Sequence, residues 1–276
     1  MKPWGAIAVA LAALLLHACT EARQPERGDA QRIVSLDYCA DQYVLRFADR
    51  EDILALSPDA AKRFSYMREA ATGLPTVRPR TADVLALQPD LVVRSYGGGP
   101  GVTDFMERSG VRVVQIGFPQ TIGEVREEVL RVGAELGSAD TAQRVATEMD
   151  RRLAAISERR GTPAATLYMT SAGVTTGEGT LVHELLLAAG VTNFQDRPGW
   201  NPIPLERLAY DRPALIALAF FGATNHVDSW SAAQHPVAQA QIEQLPVVPI
   251  EGAWTSCGGW FLIDAVEALA QWESAQ

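Results

Sequence analysis

The chain has 276 residues, 47% of them hydrophobic, and a formal net charge of −9. This apolar content is enough for a substantial core and excludes a globally disordered chain. The negative charge argues against a nucleic-acid-binding protein, and the length allows one large domain or two small ones.

The N-terminus predicts export. Lys2 supplies a positive charge, and residues 6–16 form a short apolar run. Residues 16–19 resemble a bacterial lipobox, which implies cleavage before Cys19 and a lipid on its sulfur. The alternative is an ordinary signal peptide, although Leu16 is a poor match to the small residue expected three positions before that cut. We therefore expect a signal peptide at 1–18, a lipidated Cys19 that opens a polar tether at 19–31, and a lipid-anchored periplasmic protein.

An N-terminal α/β lobe is predicted for residues 32–138. Apolar runs that predict strands alternate with amphipathic runs that predict helices. The predicted strands are 32–36, 53–56, 91–93 and 111–116, and the predicted helices are 40–48, 81–87, 103–109 and 121–136. This alternation indicates a parallel sheet.

A long helix is predicted at residues 139–160, which contain no Gly or Pro. Apolar residues from Ala142 to Ile156 recur at three- and four-residue steps, and Gly161 and Pro163 end the pattern. We interpret this helix as a spacer between two lobes. The alternative is an ordinary crossover helix within one domain.

A C-terminal lobe is predicted for residues 161–276, where the alternation of strands and helices resumes. The predicted strands are 165–170, 214–220 and 247–250, and the predicted helices are 181–189, 204–210, 236–244 and 260–272. The predicted fold class is therefore α/β, with two Rossmann-like lobes that have parallel sheets and are joined by a single long helix.

Ligands of open parallel sheets bind beyond the carboxyl ends of the strands, so the residues after the strands are the candidate ligand contacts. They are Tyr38, Cys39, Tyr66, Arg78, Arg80, Tyr96, Trp200, Phe221, Trp254 and Cys257. Aromatic rings, hydroxyls and two arginines suit a bulky organic ligand with some negative charge.

Cys39 and Cys257 each follow a predicted strand, one in each lobe, and permit three interpretations. Ordinary buried residues come first, because buried cysteine is common. Thiolate contacts to a soft metal or to a metal centre of the ligand come second. An interlobe disulfide comes last, because it would hold an opening cleft shut.

Sequence signatures of catalysis are weak. The glycines at 97–101 lack the Gly-Lys-Ser/Thr of a phosphate loop, and no Gly-x-Ser-x-Gly elbow is present. Among the histidines, only His226 follows a predicted strand, so a metal site with several His ligands is not expected. We expect no enzymatic activity, no cofactor and no bound metal. The alternative from another class is an exported metal-binding or redox enzyme that uses Cys39, Cys257 and His226.

Residues 32–48 resemble the first strand and helix of bacterial periplasmic binding proteins for iron chelates, haem and vitamin B12. The order and spacing of further segments extend the resemblance to residue 272. These segments are 85–93, 109–117, 176–194, 204–218 and 260–270.

The resemblance implies two α/β lobes joined by one long helix, a ligand held between them, and delivery to the permease and ATPase of an ABC importer. In the vitamin B12-binding member, a carboxylate on each lobe docks onto the permease. Glu206 matches the second-lobe position, whereas the first-lobe position falls on Ala82, with Asp83 beside it. Trp200 and Trp254 match aromatic residues that line the cleft.

The expected function is therefore capture of an iron chelate of the siderophore type, favoured by Arg78 and Arg80, by a monomeric binding protein. A corrinoid is the alternative ligand, favoured by Trp200 and Trp254.

Overall fold

The computed structural model describes residues 31–158, 163–220 and 231–273. The predicted Cys19, Phe221 and His226 lie outside these ranges. None of the described helices is both long and apolar enough to cross a membrane.

The first lobe is a four-stranded sheet in the order β2-β1-β3-β4, with every neighbouring pair parallel. Its elements are β1 (Ile33–Ser35), α1 (Tyr38–Phe47), β2 (Ile53–Ala55), α2 (Thr81–Leu85), β3 (Leu91–Arg94), α3 (Val102–Arg108), β4 (Arg112–Gln115) and α4 (Ile122–Glu135). β1 and β3 lie in the middle of the sheet, whereas β2 and β4 are its edge strands.

The second lobe repeats this plan with a parallel sheet in the order β10-β9-β5-β7 and an added antiparallel pair, β6-β8. Its elements are β5 (Ala165–Thr170), β6 (Val174–Thr176), α6 (Leu181–Ala188), β7 (Thr192–Asn193), β8 (Trp200–Pro202), α7 (Leu205–Leu208), β9 (Leu215–Phe220), α8 (Pro236–Gln244), β10 (Val247–Glu251), α9 (Gly252–Thr255) and α10 (Leu262–Glu273). The β6-β8 pair and the short α9 occupy segments for which the sequence predicted neither a strand nor a helix.

The long helix α5 (Ala139–Ser157) carries the chain from the first lobe to the second, as predicted. It packs against α4 at Gly133, where an added Cβ would lie 2.4 Å from the Cβ of Ala142. On the other lobe, Arg152 bonds to Asp264 at 2.7 Å and to Glu267 at 2.5 Å, both on α10. These contacts fix α5 to both lobes, so it is a spacer rather than a crossover within one sheet.

A disulfide joins the lobes: Cys39 on α1 is bonded to Cys257, which follows α9, with their Cα atoms 5.6 Å apart. The ranking from sequence was therefore wrong, since it placed this pairing last. It assumed that the cleft must open at these residues. In fact they lie where the cleft meets a closed seam. There the Tyr43 hydroxyl donates to the Gly258 carbonyl at 3.0 Å, and Ser256 Oγ donates to the Phe64 carbonyl at 2.9 Å.

Replacing both cysteines, Cys39→Ser with Cys257→Ser, is expected to lower the free energy of unfolding by about 2–4 kcal/mol. The reason is that the disulfide restricts the unfolded chain across a sequence separation of 218 residues. Denaturant unfolding of the full chain measures the change, and dithiothreitol should destabilise the unsubstituted protein but not the double variant. Two titratable thiols at these positions in the unreduced protein would contradict the assignment.

Candidate functional site

A cleft lies between the lobes and has a volume of about 310 Å³. Its first-lobe side is formed by the residues beyond β1, β3 and β4, the edge at which parallel α/β sheets bind ligands. Its lining residues are Tyr38, Cys39, Ser95, Tyr96, residues 116–120, Leu181, Val182, Leu185, Trp200, residues 254–258 and Leu262. Both lobes therefore contribute to one surface.

Aromatic rings dominate this cleft. Tyr38, Tyr96 and Phe118 come from the first lobe, and Trp200 and Trp254 come from the second. Phe118 is 68% exposed and Trp200 is 58% exposed, so their rings are available for contact. Such rings provide large apolar faces for stacking against a flat or apolar ligand.

Neutral polar groups are interspersed among the rings. Ser95, Gln120, Thr255 and Ser256 are the neutral polar residues that line the cleft. No Asp, Glu, Lys, Arg or His is among the described lining residues. The described wall therefore offers stacking and neutral hydrogen bonds.

One buried carboxylate organises the first-lobe wall. Asp37 is 3% exposed and follows β1. Its Oδ1 accepts the backbone N–H of Ala40 at 2.9 Å and so caps the N-terminus of α1. Its Oδ2 accepts the N–H groups of Ser95, Tyr96 and Gly97 at 2.7, 3.0 and 2.8 Å.

Tyr38 and Tyr96 meet edge to face, with ring centroids 5.8 Å apart. Burial, with a smaller effect of Asp37, raises the pKa of Tyr38. Burial, with the nearby Tyr38 and Asp37, also raises the pKa of Tyr96. Both phenols therefore stay protonated at neutral pH, and the Tyr38 hydroxyl donates to the Ser256 carbonyl at 3.4 Å.

The second-lobe wall is the segment that follows β10. Gly258 fits closely beneath Pro119 of the first lobe, since an added Cβ would lie 2.4 Å from Pro119 Cγ. Thr255 lies within 3.5 Å of the Tyr168 hydroxyl, which comes from β5. The half-buried Trp254 packs against the hydrophobic core and also lines the cleft. This wall is therefore supported from both lobes.

Many of the candidate ligand contacts predicted from sequence come together in this cleft. They are Tyr38, Cys39, Tyr96, Trp200, Trp254 and Cys257. Because Cys39 and Cys257 are bonded to each other, they are not thiolate ligands. Contact of the other residues with a ligand stays a prediction.

Tyr66 lies in the interlobe seam rather than in the cleft lining. Its ring stacks on Phe261 with centroids 4.6 Å apart, and its hydroxyl donates to Asp264 at 2.9 Å. Burial and the Asp264 carboxylate raise the pKa of Tyr66 to about 12. Tyr66 therefore contributes contacts between the lobes, and its contact with a ligand stays a prediction.

Arg78 and Arg80 also lie outside the cleft lining, contrary to the sequence expectation. Both arginines follow the edge strand β2 in the sequence. The isolated β-bridge between Leu56 and Thr76 keeps this segment at the outer edge of the sheet. Arg78 pairs with Asp83 on α2 at 3.1 Å. Arg80 is exposed and occupies the N-cap position of α2.

The candidate docking residues lie on short helices, one in each lobe. Glu206 is exposed on α7, and Asp83 on α2 faces Arg78 of its own lobe. An exposed ion pair of this kind contributes little stability, so it leaves Asp83 free to exchange partners.

Sequence reasoning missed the N-terminal part of α6, which contributes Leu181, Val182 and Leu185 to the cleft. A helix was predicted at 181–189, but only residues after predicted strands were considered as ligand contacts. The strand β6, which precedes α6 and pairs with β8, was not predicted. The alternation in Val174–Thr176 was the available signal, but three residues are too few to predict a strand reliably.

Among residues 31–158, 163–220 and 231–273, no group of three or more His, Cys, Asp or Glu side chains is positioned to hold a metal ion.

A family profile described as periplasmic binding protein matches residues 78–220, which is more than half of the chain. The chain belongs to the periplasmic binding protein family. This family consists of binding proteins, in keeping with a cleft between two lobes. No curated protein sequence matches the chain significantly.

Solved structures of similar fold include periplasmic binding proteins with different ligands. The haem-binding protein RhuT from Roseiflexus sp. RS-1 is 19% identical, with a TM-score of 0.70, covering 90% of this chain and all of the other. The haem-binding protein HutB of Vibrio cholerae is 16% identical, with a TM-score of 0.70, covering 88% and 98%. The vitamin B12-binding protein BtuF of Vibrio cholerae is 19% identical, with a TM-score of 0.66, covering 89% and 97%. At these identities the likeness establishes the two-lobed fold of this periplasmic binding protein.

Substituting Trp254→Ala is expected to weaken ligand binding roughly ten- to a hundredfold, because a buried aromatic contact contributes about 1–3 kcal/mol. Calorimetric titration measures the affinity, after thermal unfolding has verified that the variant is folded. Trp272→Ala provides a matched control, since Trp272 packs against the core and does not line the cleft. Equal affinities of the Trp254 variant and the unsubstituted protein would remove this ring from the site.

Proposed function

We propose that the protein is the substrate-binding protein of an ABC importer and that it captures a metal chelate between its two lobes. The observation that carries the proposal is the aromatic cleft, to which both lobes contribute at the carboxyl ends of the first-lobe strands. The family and the ligands named for RhuT, HutB and BtuF support the same class of cargo.

A corrinoid is the ligand that the described lining favours. The siderophore hypothesis depended on Arg78 and Arg80, but these arginines lie at the outer edge of the first lobe. A corrinoid is a broad macrocycle with neutral amides on its rim. Rings such as Trp200 and Trp254 can stack on its faces, and hydroxyls such as those of Ser95 and Thr255 can bond to its amides. Haem carries propionate carboxylates, and ferric catecholate siderophores carry a net negative charge; an arginine would hold either of them better.

Native mass spectrometry with equal concentrations of cyanocobalamin, haemin and ferric siderophores is expected to show one cyanocobalamin per protein. We expect a Kd in the micromolar range or below, roughly −8 kcal/mol or stronger. Preferential retention of haemin or a siderophore would contradict the corrinoid assignment while leaving the binding role intact. Failure of every ligand to bind would overturn the proposed cargo class.

The proposed location is the periplasm, with a lipid on Cys19 as membrane anchor. This proposal follows from the apolar run at 6–16 and the lipobox-like residues 16–19, which lie outside the described structure. The proposed partners are the permease and ATPase of the importer, and Glu206 and Asp83 are the proposed docking carboxylates.

Glu206→Ala is expected to impair uptake of the ligand by cells while leaving its affinity for the purified protein unchanged. Glu206 is exposed on α7 and outside the cleft lining, so its charge is available to a basic residue of the permease. Asp140→Ala is the matched control, since it removes an exposed carboxylate at the start of α5. Normal transport with the Glu206 variant at normal protein levels would reject the docking role.

A further inference from the structure

The two tyrosines of the cleft wall come from different segments of the first lobe, and one side chain connects those segments. Tyr38 begins α1, whereas Tyr96 lies in the turn after β3. The carboxylate of Asp37 bonds to the backbone of both segments. Their relative position therefore depends on a residue that does not itself line the cleft.

The chemistry of this contact requires an acceptor. Three consecutive N–H groups, those of Ser95, Tyr96 and Gly97, point at the same oxygen, Asp37 Oδ2. Bonds from N–H groups to a charged oxygen are stronger than bonds to a neutral one. If asparagine replaced Asp37 with its NH₂ group in the place of Oδ2, N–H would face N–H at Ser95, Tyr96 and Gly97. With the amide rotated by 180°, the NH₂ group would face the N–H of Ala40, and that bond would be lost.

The turn after β3 is held from its other side as well. Arg94 Nε donates to the Gly97 carbonyl at 2.9 Å, and its Nη1 donates to Thr103 Oγ1 at 2.9 Å. Gly97 lies against β1, because an added Cβ would be 2.3 Å from the Leu36 carbonyl oxygen. The N–H groups of the turn bond to Asp37, and the carbonyl of Gly97 bonds to Arg94. The backbone at Tyr96 therefore has little freedom, and the Tyr96 ring is kept beside Tyr38.

We propose that Asp37 is a positioning residue of the ligand cleft: by holding Tyr38 and Tyr96 together, it fixes the first-lobe surface that the ligand meets. This inference rests on the proposed function, since it concerns the same cleft. A carboxylate that only capped α1 would contribute to folding stability without any specific effect on Tyr96, so the two roles can be separated.

The test compares Asp37→Asn with Asp41→Asn. Asp41 is a suitable control because it is a second fully buried carboxylate on α1, and burial raises its pKa to about 6. It accepts bonds from the N–H and hydroxyl of Ser57, at 3.0 and 2.6 Å, rather than from the turn that carries Tyr96. Asp37→Ser is a second test variant, since serine is also a good N-cap but is too short to bond to all three N–H groups.

The first measurement is amide hydrogen exchange of the full chain without ligand. In Asp37→Asn and Asp37→Ser, the amides of Ser95, Tyr96 and Gly97 are expected to exchange roughly tenfold faster or more, while those of α5 keep their rates. Asp41→Asn should leave the three amides unchanged. Unaltered exchange at these amides in both Asp37 variants, or equal acceleration throughout the chain, would overturn the proposal.

The second measurement is calorimetric titration with cyanocobalamin of Asp37→Asn, Tyr96→Ala and the double variant. Asp37→Asn should weaken binding roughly tenfold, and its effect should be much smaller when Tyr96 is already alanine, because the two residues act through one contact. Independent effects would contradict positioning through Tyr96. If the unsubstituted protein does not bind cyanocobalamin, the corrinoid assignment fails, and the exchange rates alone decide whether Asp37 positions the wall.

Discussion

The disulfide between Cys39 and Cys257 closes the seam on which the cleft is built. It joins the start of α1 in the first lobe to the segment after α9 in the second. The surrounding hydrogen bonds also hold the two lobes together. Tyr43 bonds to the Gly258 carbonyl, and Tyr66 bonds to Asp264 on α10. The second-lobe wall of the cleft is thereby attached directly to the first lobe, in addition to the connection through α5.

This arrangement restricts how the cleft can respond to a ligand. A hinge that depended on α5 alone would let the lobes separate along the whole cleft. With a covalent bond at Cys39, movement is confined to the parts farther from the seam, such as the segment that carries Trp200. A site whose walls are already in place loses little conformational entropy on binding, which favours affinity. The exposed rings at 118 and 200 can then adjust without a change in the seam.

The charged side chains of Asp37, Arg78 and Arg80 lie away from the surface that a ligand would contact. The carboxylate of Asp37 is buried behind the wall, where it accepts backbone N–H groups, and the arginines Arg78 and Arg80 lie at the outer edge of the sheet. What the described residues present to a ligand is aromatic faces, hydroxyls and peptide groups. A buried carboxylate satisfied by four N–H groups costs far less than an unpaired one, and its bonds give the wall a fixed geometry.

Local sequence determined most of the parallel strands, most of the helices and the long α5, because each depends on apolar periodicity within a few residues. It also determined which residues follow the strands, and so predicted Tyr38, Tyr96 and Trp254 at the positions that line the cleft. Only the tertiary structure decided that Cys39 pairs with Cys257, that Arg78 and Arg80 lie away from the cleft, and that Asp37 connects two segments of the wall. The physical reason is that these features depend on strand order and, for Asp37 and the disulfide, on contacts between residues 58 and 218 positions apart in the chain. No local pattern encodes which distant segments meet.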